Sequence, residues 1–363
     1  MAQVGAALAH SGTLRSAAQV LSIQYLRGIA AFSVLVGHAL QWPLAAPNDV
    51  LVKTGRFGVE IFFVISGFII TMIAGDGRFD PRDFLVRRVL RVVPAYWIAT
   101  FLVLVLALIM PHQFRNTVPS VEGLIKSLLF IPSIDPKAPL LLLGWTLDYE
   151  AFFYVAFAAM FFLRSEWRTL VLCVGFAILI AIGQTVPGLG FLQSFYTSLS
   201  LAGFCAGTVL AQAYRHRLLD NYSRFVDVLL LSGMIVLVAL YYRLPWIDAN
   251  NVELPLHLLM TAAAVSVVLV GLRLELSGRL PQIGLFQYFG DASYSVYLFH
   301  LFPIGATWAL ARTFFPIDQT PYYLAAALVA VVSCTVFSLI SYHLIERPFL
   351  IRSRAWHRTP VPA

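Results

Sequence analysis

Apolar residues recur in windows of about twenty along almost the whole chain, the length a helix needs to cross a hydrocarbon core at 1.5 Å per residue. The windows run over 22–43, 57–74, 93–111, 139–163, 169–187, 196–214, 225–243, 255–272, 286–312 and 322–344. The pattern therefore predicts ten transmembrane helices and an all-α polytopic membrane protein. The ninth window opens in a polar turn, Gly290-Asp291, so its helix is expected to begin near Ala292. The longest outer connection runs from His112 to Lys137. Within it, Ser120-Val121-Glu122 reads as a helix start and puts Leu124, Ile125, Leu128 and Leu129 on one face. That piece is expected to lie along the outer surface.

Basic residues divide unevenly between the two sets of connections. With the N-terminus inside, seventeen arginines fall on the inner side, while seven lysines and arginines fall outside, Arg27 being left out. The positive-inside rule then puts both termini in the cytoplasm. The expected organisation is a tail at 1–21, a membrane domain over 22–349 and a second tail at 350–363, with no repeat and no appended soluble domain. A cleavable signal is the alternative reading of Arg27 to Pro47, but a chain with this many further spans needs none.

Composition agrees with the pattern. The chain is 60% hydrophobic and 12% charged with a mean hydropathy of +0.81, against about half and a quarter in soluble domains. The net charge of +7 is explained by topology, so nucleic acid is not an expected partner. Cys173, Cys205 and Cys334 all sit in apolar runs without metal-ligand spacing, and read as small core residues. No metal and no tightly bound cofactor is expected.

Ionisable groups inside apolar windows are expensive and therefore functional candidates. Arg27 and His38 are the first, with ten residues between them. Eleven helical steps bring them within ~20° of one face and separate them by ~16 Å. That puts a cation near one surface and an imidazole near the midplane. The second window adds Glu60 and Ser66-Gly67. An interfacial carboxylate and a close helix–helix approach are the plainer readings there. Arg88 and Arg91, three apart in Arg87-Arg88-Val89-Leu90-Arg91, share a helical face and form a fork suited to phosphate; ordinary positive-inside anchoring is the alternative.

Two carboxylates follow in Gly144-Trp145-Thr146-Leu147-Asp148-Tyr149-Glu150. Two residues apart, they cannot share a face, so at most one reaches a cavity shared with His38. Glu150, the deeper from the outer side, is the choice, with a structural interhelical salt bridge as the competing role. The ninth window supplies Tyr297 and His300, three apart, with ordinary packing as the alternative for the histidine. Glu346-Arg347-Pro348 is adequately explained by a local ion pair or a helix stop before proline. No nucleophile elbow, phosphate loop or paired-cysteine site is present.

Together these segments resemble the acyltransferase-3 family of integral membrane acyltransferases. The likeness runs from Gln24 to Pro348 and rests on six elements in order. They are Arg27 with His38, GVEIFFVISGF at 58–68, RRVLRVVPAYW at 87–97, GWTLDYEAFFY at 144–154, GDASYSVYLFH at 290–300 and ERP at 346–348. QYLRGIAA and GWTLDYEAFFY are most similar to exopolysaccharide O-acetyltransferases. Thr146 stands where many relatives have serine, and Glu60 where aspartate is frequent; neither change removes a hydroxyl or a charge.

The resemblance implies transfer of an acyl group, most often acetyl, from cytoplasmic acyl-CoA to a sugar hydroxyl of a polysaccharide or lipid-linked oligosaccharide. It implies residence in the bacterial inner membrane. On that reading Arg27, Arg88 and Arg91 hold the acyl-CoA, and His38, oriented by Glu150, is the general base. Tyr or Ser hydroxyls would face the oxyanion. Glu60, Ser66, Trp145, Asp148, Tyr297 and His300 are the substrate-binding candidates. An acyl-histidine intermediate is an open alternative. So are a secreted small-molecule acceptor such as a macrolide and, in a different class, a transporter or flippase for a lipid-linked sugar.

Overall fold

A computed structural model describes residues 20–44, 48–112, 117–132, 139–220, 222–245, 254–317 and 319–356. Residues 1–19, 45–47, 113–116, 133–138, 221, 246–253, 318 and those from 357 onwards lie outside the described residues. The chain is all-helical among the described residues. In order, α1 is Leu21–Gln41, α2 Asp49–Ala74, α3 Pro81–Ile109, α4 Val121–Leu128, α5 Gly144–Ala159, α6 Ser165–Thr185, α7 Phe191–Tyr196 and α8 Leu201–Arg215. There follow α9 Arg224–Arg243, α10 Leu254–Leu276, α11 Gly284–Asp291, α12 Ser293–Phe299, α13 Leu301–Phe314, α14 Thr320–Ser341, a π-helical turn Tyr342–Glu346, and α15 Arg347–Trp356.

Eight helices among the described residues are long and apolar enough to cross a membrane, the pairs α7–α8 and α14–α15 each serving as one. Two of the ten windows are of a different kind. The window at 139–163 holds α5, a helix of only 16 residues. The window at 286–312 is broken into α11, α12 and α13, interrupted at Ala292 and at His300. Pro303 accounts for the second break, since its ring has no N–H and clashes with the carbonyl four residues back, that of Phe299. These two irregular windows carry Trp145, Asp148, Glu150, Tyr297 and His300. Broken helices at membrane depth are tolerated where they are buried in protein or line a cavity.

Three apolar clusters hold the bundle, and α2 is common to two of them. One joins α2, α3, α5 and α8 through Phe63, Phe153 and Phe204. A second joins α1, α2, α8 and α10 through Ile61, Phe68, Ala211 and Val268. The third packs α1 on α12, α13 and α14 through Leu35, Val296, Trp308 and Cys334. Without a hydrophobic drive between helices in lipid, close contact depends on small residues. A Cβ on Gly67 would lie 2.2 Å from the Phe204 carbonyl and one on Gly207 2.0 Å from the Val64 carbonyl, so α2 and α8 touch backbone to backbone. Outer helices are bare by comparison: in α9 only Tyr241 is buried.

Two local expectations change. Helix α4 exists where Ser120 predicted it, with the Ser120 hydroxyl accepting the Gly123 amide at 3.0 Å. Its small residues Gly123 and Ser127 face the protein, however, while Val121, Ile125 and Leu129 stay exposed. At the other end, Pro348 does not stop the last helix. The chain passes through the π-helical turn and continues as α15, because the first turn of a helix tolerates proline.

Candidate active site

Helix α1 carries Arg27 near its start and His38 three residues from its end. The two side chains are thus carried on opposite halves of α1. Two cavities with shared lining residues lie in the bundle.

The larger cavity, with the open solvent at its mouth included, spans about 770 Å³. Arg27, from α1, and Arg88 and Arg91, from α3, all line it, so the three-residue spacing does aim both α3 guanidiniums the same way. Arg87 does not join them; it pairs with Asp83 at 2.6 Å on the surface. The Nε of Arg88 is buried without a hydrogen-bond partner, a donor left over inside the cavity wall. Opposite the arginines stands Glu150 of α5, whose carboxylate accepts from Ser66 at 3.1 Å and from the Tyr154 hydroxyl. Ser66 therefore serves a polar contact, while Gly67 beside it makes the close approach.

Tyr297 closes the cavity at its far side. Its hydroxyl lies 2.5 Å from that of Thr146 and 3.3 Å from the Leu143 carbonyl. Its ring meets Phe62 on one side, 5.8 Å away, and His300 on the other, 6.2 Å away. Behind it, outside the cavity lining, His38 and His300 face each other with Nδ1 and Nε2 2.9 Å apart. This corrects the expected pairing of His38 with Glu150. The carboxylate points into the arginine cavity and is held by Ser66 and Tyr154; the imidazole is bonded to the second histidine. His300 is fully buried and His38 half-buried.

A smaller, tightly filled cleft lies towards the start of α2. Arg56, Glu60, Trp145, Ser200, His257 and Met260 line it, and Val59 and Phe63 are shared with the large cavity. Arg56 sits over the Trp145 ring at 5.2 Å, a cation–π contact. Glu60 is not interfacial: it is 2% exposed, accepts from Thr261 at 2.6 Å and stands 3.9 Å from His257 Nε2. Asp148 lines neither cavity. It is buried on the other face of α5 with Oδ1 unpartnered, as the two-residue spacing from Glu150 requires.

Several residues escaped the sequence reading. Tyr154 was legible as the residue one turn after Glu150 in the same motif. Arg56 and His257 had no local signal, since α2 and α10 meet only in the fold. Glu346 had been put down to an ion pair or helix stop. It is instead buried and accepts from the Ser295 amide at 3.0 Å and its hydroxyl at 2.6 Å, tying the π-helical turn to the start of α12. Turns of that kind recur at functional sites.

A family profile described as an acyltransferase domain matches residues 20–339. The chain belongs to the acyltransferase-3 family. This acyltransferase-3 protein is 31% identical over 306 residues to the exopolysaccharide production protein ExoZ of Rhizobium meliloti, covering 83% of this chain and 91% of that one. It is 24% identical over 359 residues to the peptidoglycan O-acetyltransferase OatA of Listeria monocytogenes, of which it spans 55%. With the acyltransferase MdmB of Streptomyces mycarofaciens it shares 26% over 318 residues, 78% of each chain. No solved structure matches it. Family and helices together make it a multi-pass membrane acyltransferase.

Proposed function

We propose that this protein is an O-acyltransferase of the bacterial inner membrane, moving an acyl group, acetyl by preference, from acyl-CoA to a sugar hydroxyl. The acceptor is an exopolysaccharide or its lipid-linked precursor. The observation that carries the reading is the large cavity with three guanidiniums and one carboxylate in its lining. An excess of fixed arginine charge inside apolar walls suits a ligand bearing several phosphates, and arginine forks bind phosphate bidentately. The basic end faces the cytoplasm, where acyl-CoA is made. The ~16 Å between Arg27 and His38 along α1 is of the order of a pantetheine arm. Likeness to an exopolysaccharide production protein supports the acceptor class.

His38 is the general base. It takes the proton of the acceptor hydroxyl as that oxygen attacks the thioester carbonyl. The C–S bond then breaks and the proton passes to the CoA sulfur, so the imidazole ends as it began. The Tyr297 and Thr146 hydroxyls stand at the junction of the cavity and the histidines and supply donors to the oxyanion. Glu150 is a counter-charge for the arginines. Glu60 and Trp145, in the small cavity, meet the acceptor. His38→Ala is expected to lower acetylation of the cells' polysaccharide by about 10²- to 10⁴-fold with unchanged membrane insertion. Acetylation retained in a variant that inserts normally would remove His38 from the chemistry.

A further inference from the structure

His300 stands at the break that Pro303 imposes between α12 and α13. Its Nδ1 lies 2.7 Å from the Tyr297 carbonyl and 3.1 Å from the Val296 carbonyl. Carbonyl oxygens only accept, so Nδ1 carries the ring proton and Nε2 of the neutral ring holds a lone pair. That Nε2 is 2.9 Å from Nδ1 of His38. Two lone pairs would repel at this distance, so the His38 Nδ1 donates. The rings are 16° from coplanar with centroids 5.1 Å apart, as far as two ring radii plus the hydrogen bond. They meet edge to edge, in the plane where an N–H and a lone pair point at each other. Cys334 Sγ, 3.2 Å from the His300 carbonyl, holds the same residue from α14.

We infer that His300 is a positioning residue that fixes His38 as the Nδ1–H tautomer and leaves His38 Nε2 as the atom that accepts the substrate proton. This rests on the reading of His38 as the base, and it moves His300 from acceptor binding to the support of that base. The part it plays is that of the carboxylate which orients the imidazole of a hydrolase triad. A neutral ring is the cheaper device here. A further ionised carboxylate at membrane depth is costly to desolvate, whereas an imidazole anchored on two backbone carbonyls offers a lone pair without a charge. When His38 takes the proton on Nε2, its Nδ1–H bond to His300 becomes charge-assisted and strengthens. No proton passes to His300, which keeps its own on Nδ1 throughout.

The test uses the full-length protein in detergent with acetyl-CoA and chemically de-O-acetylated exopolysaccharide. His300→Phe keeps a ring and removes the lone pair; His300→Gln retains an oxygen that can accept from His38. The first should lower kcat by about tenfold or more, the usual scale for losing a residue that orients a reactive imidazole, with the KM of both substrates unchanged. The second should recover part of that loss. Nitrogen-15 spectra of histidine-labelled protein, with His38→Ala identifying the signal, should show His38 protonated at Nδ1 and bare at Nε2. An Nε2-protonated His38 in the parent overturns the inference whether or not the variants fold. So does His300→Phe with kcat intact, or with only the acceptor KM raised. Activity retained in His38→Ala would sink the base reading itself and the catalytic half of this one, even with the expected spectrum.

Discussion

Two cavities of this bundle share a wall and differ in kind. The large one is lined by three arginines against a single carboxylate. The small one, a tightly filled cleft, sets one arginine against one carboxylate and adds Trp145, Ser200 and His257. Excess cation in an apolar cavity selects a polyanion. A balanced set of hydrogen-bonding groups beside an aromatic ring suits a neutral polyol instead. Val59 and Phe63 belong to both linings, and Tyr297 separates the large one from the paired histidines. One bundle thus carries two linings of different chemistry that meet at Val59 and Phe63.

The most damaging change should be one that strikes both cavities at once. Helix α2 lines each of them, and its position rests on the backbone contacts with α8 that Gly67 makes at Phe204 and Gly207 at Val64. In Gly207→Leu the new Cβ meets the Val64 carbonyl, so α2 must shift. About 3 kcal/mol of destabilisation is expected, the upper end of ordinary overpacking, read as a fall in the thermal midpoint of the detergent-purified protein. An unchanged midpoint would mean that the two helices do not pack as described. A smaller and selective effect is expected from Trp145→Ala. It should raise the KM for de-O-acetylated polysaccharide by about tenfold, as for the loss of an aromatic contact worth 1–2 kcal/mol, and leave the KM for acetyl-CoA where it was. Equal changes in both constants would break the division between the cavities.

Much of the large cavity was legible in the chain. The spacing of Arg88 and Arg91 put them on one face, and that of Asp148 and Glu150 put them on opposite faces; both hold in the fold. The resemblance brought the same segments together in the right order. What was not legible came from contacts between helices far apart in sequence. Glu150 was paired with the wrong partner, because nothing local says that α5 turns it towards Ser66 of α2 rather than towards His38 of α1. The small cavity draws Arg56 from α2, Ser200 from the turn before α8 and His257 from α10, and no window contains its pattern. The break at His300 could have been read, since Pro303 lies inside an apolar window; there the hydropathy of the run outweighed the geometry of one residue.

The central proposal is that the arginine cavity, and not the smaller one, receives the acyl-CoA. Acetyl-CoA affinity, titrated calorimetrically on the full-length protein, tests that claim most directly across three variants. Replacing both Arg88 and Arg91 by alanine should weaken binding by about 100-fold or more, each guanidinium–phosphate bond contributing about 1.5–3 kcal/mol. Arg87→Ala removes a half-exposed pair with Asp83 outside the arginine cavity, and Trp145 lines the small cavity and not the large one, so both should leave the affinity unchanged. Binding unaffected by the loss of Arg88 and Arg91, or weakened as much by Trp145→Ala, would contradict acyl-CoA binding in the arginine cavity.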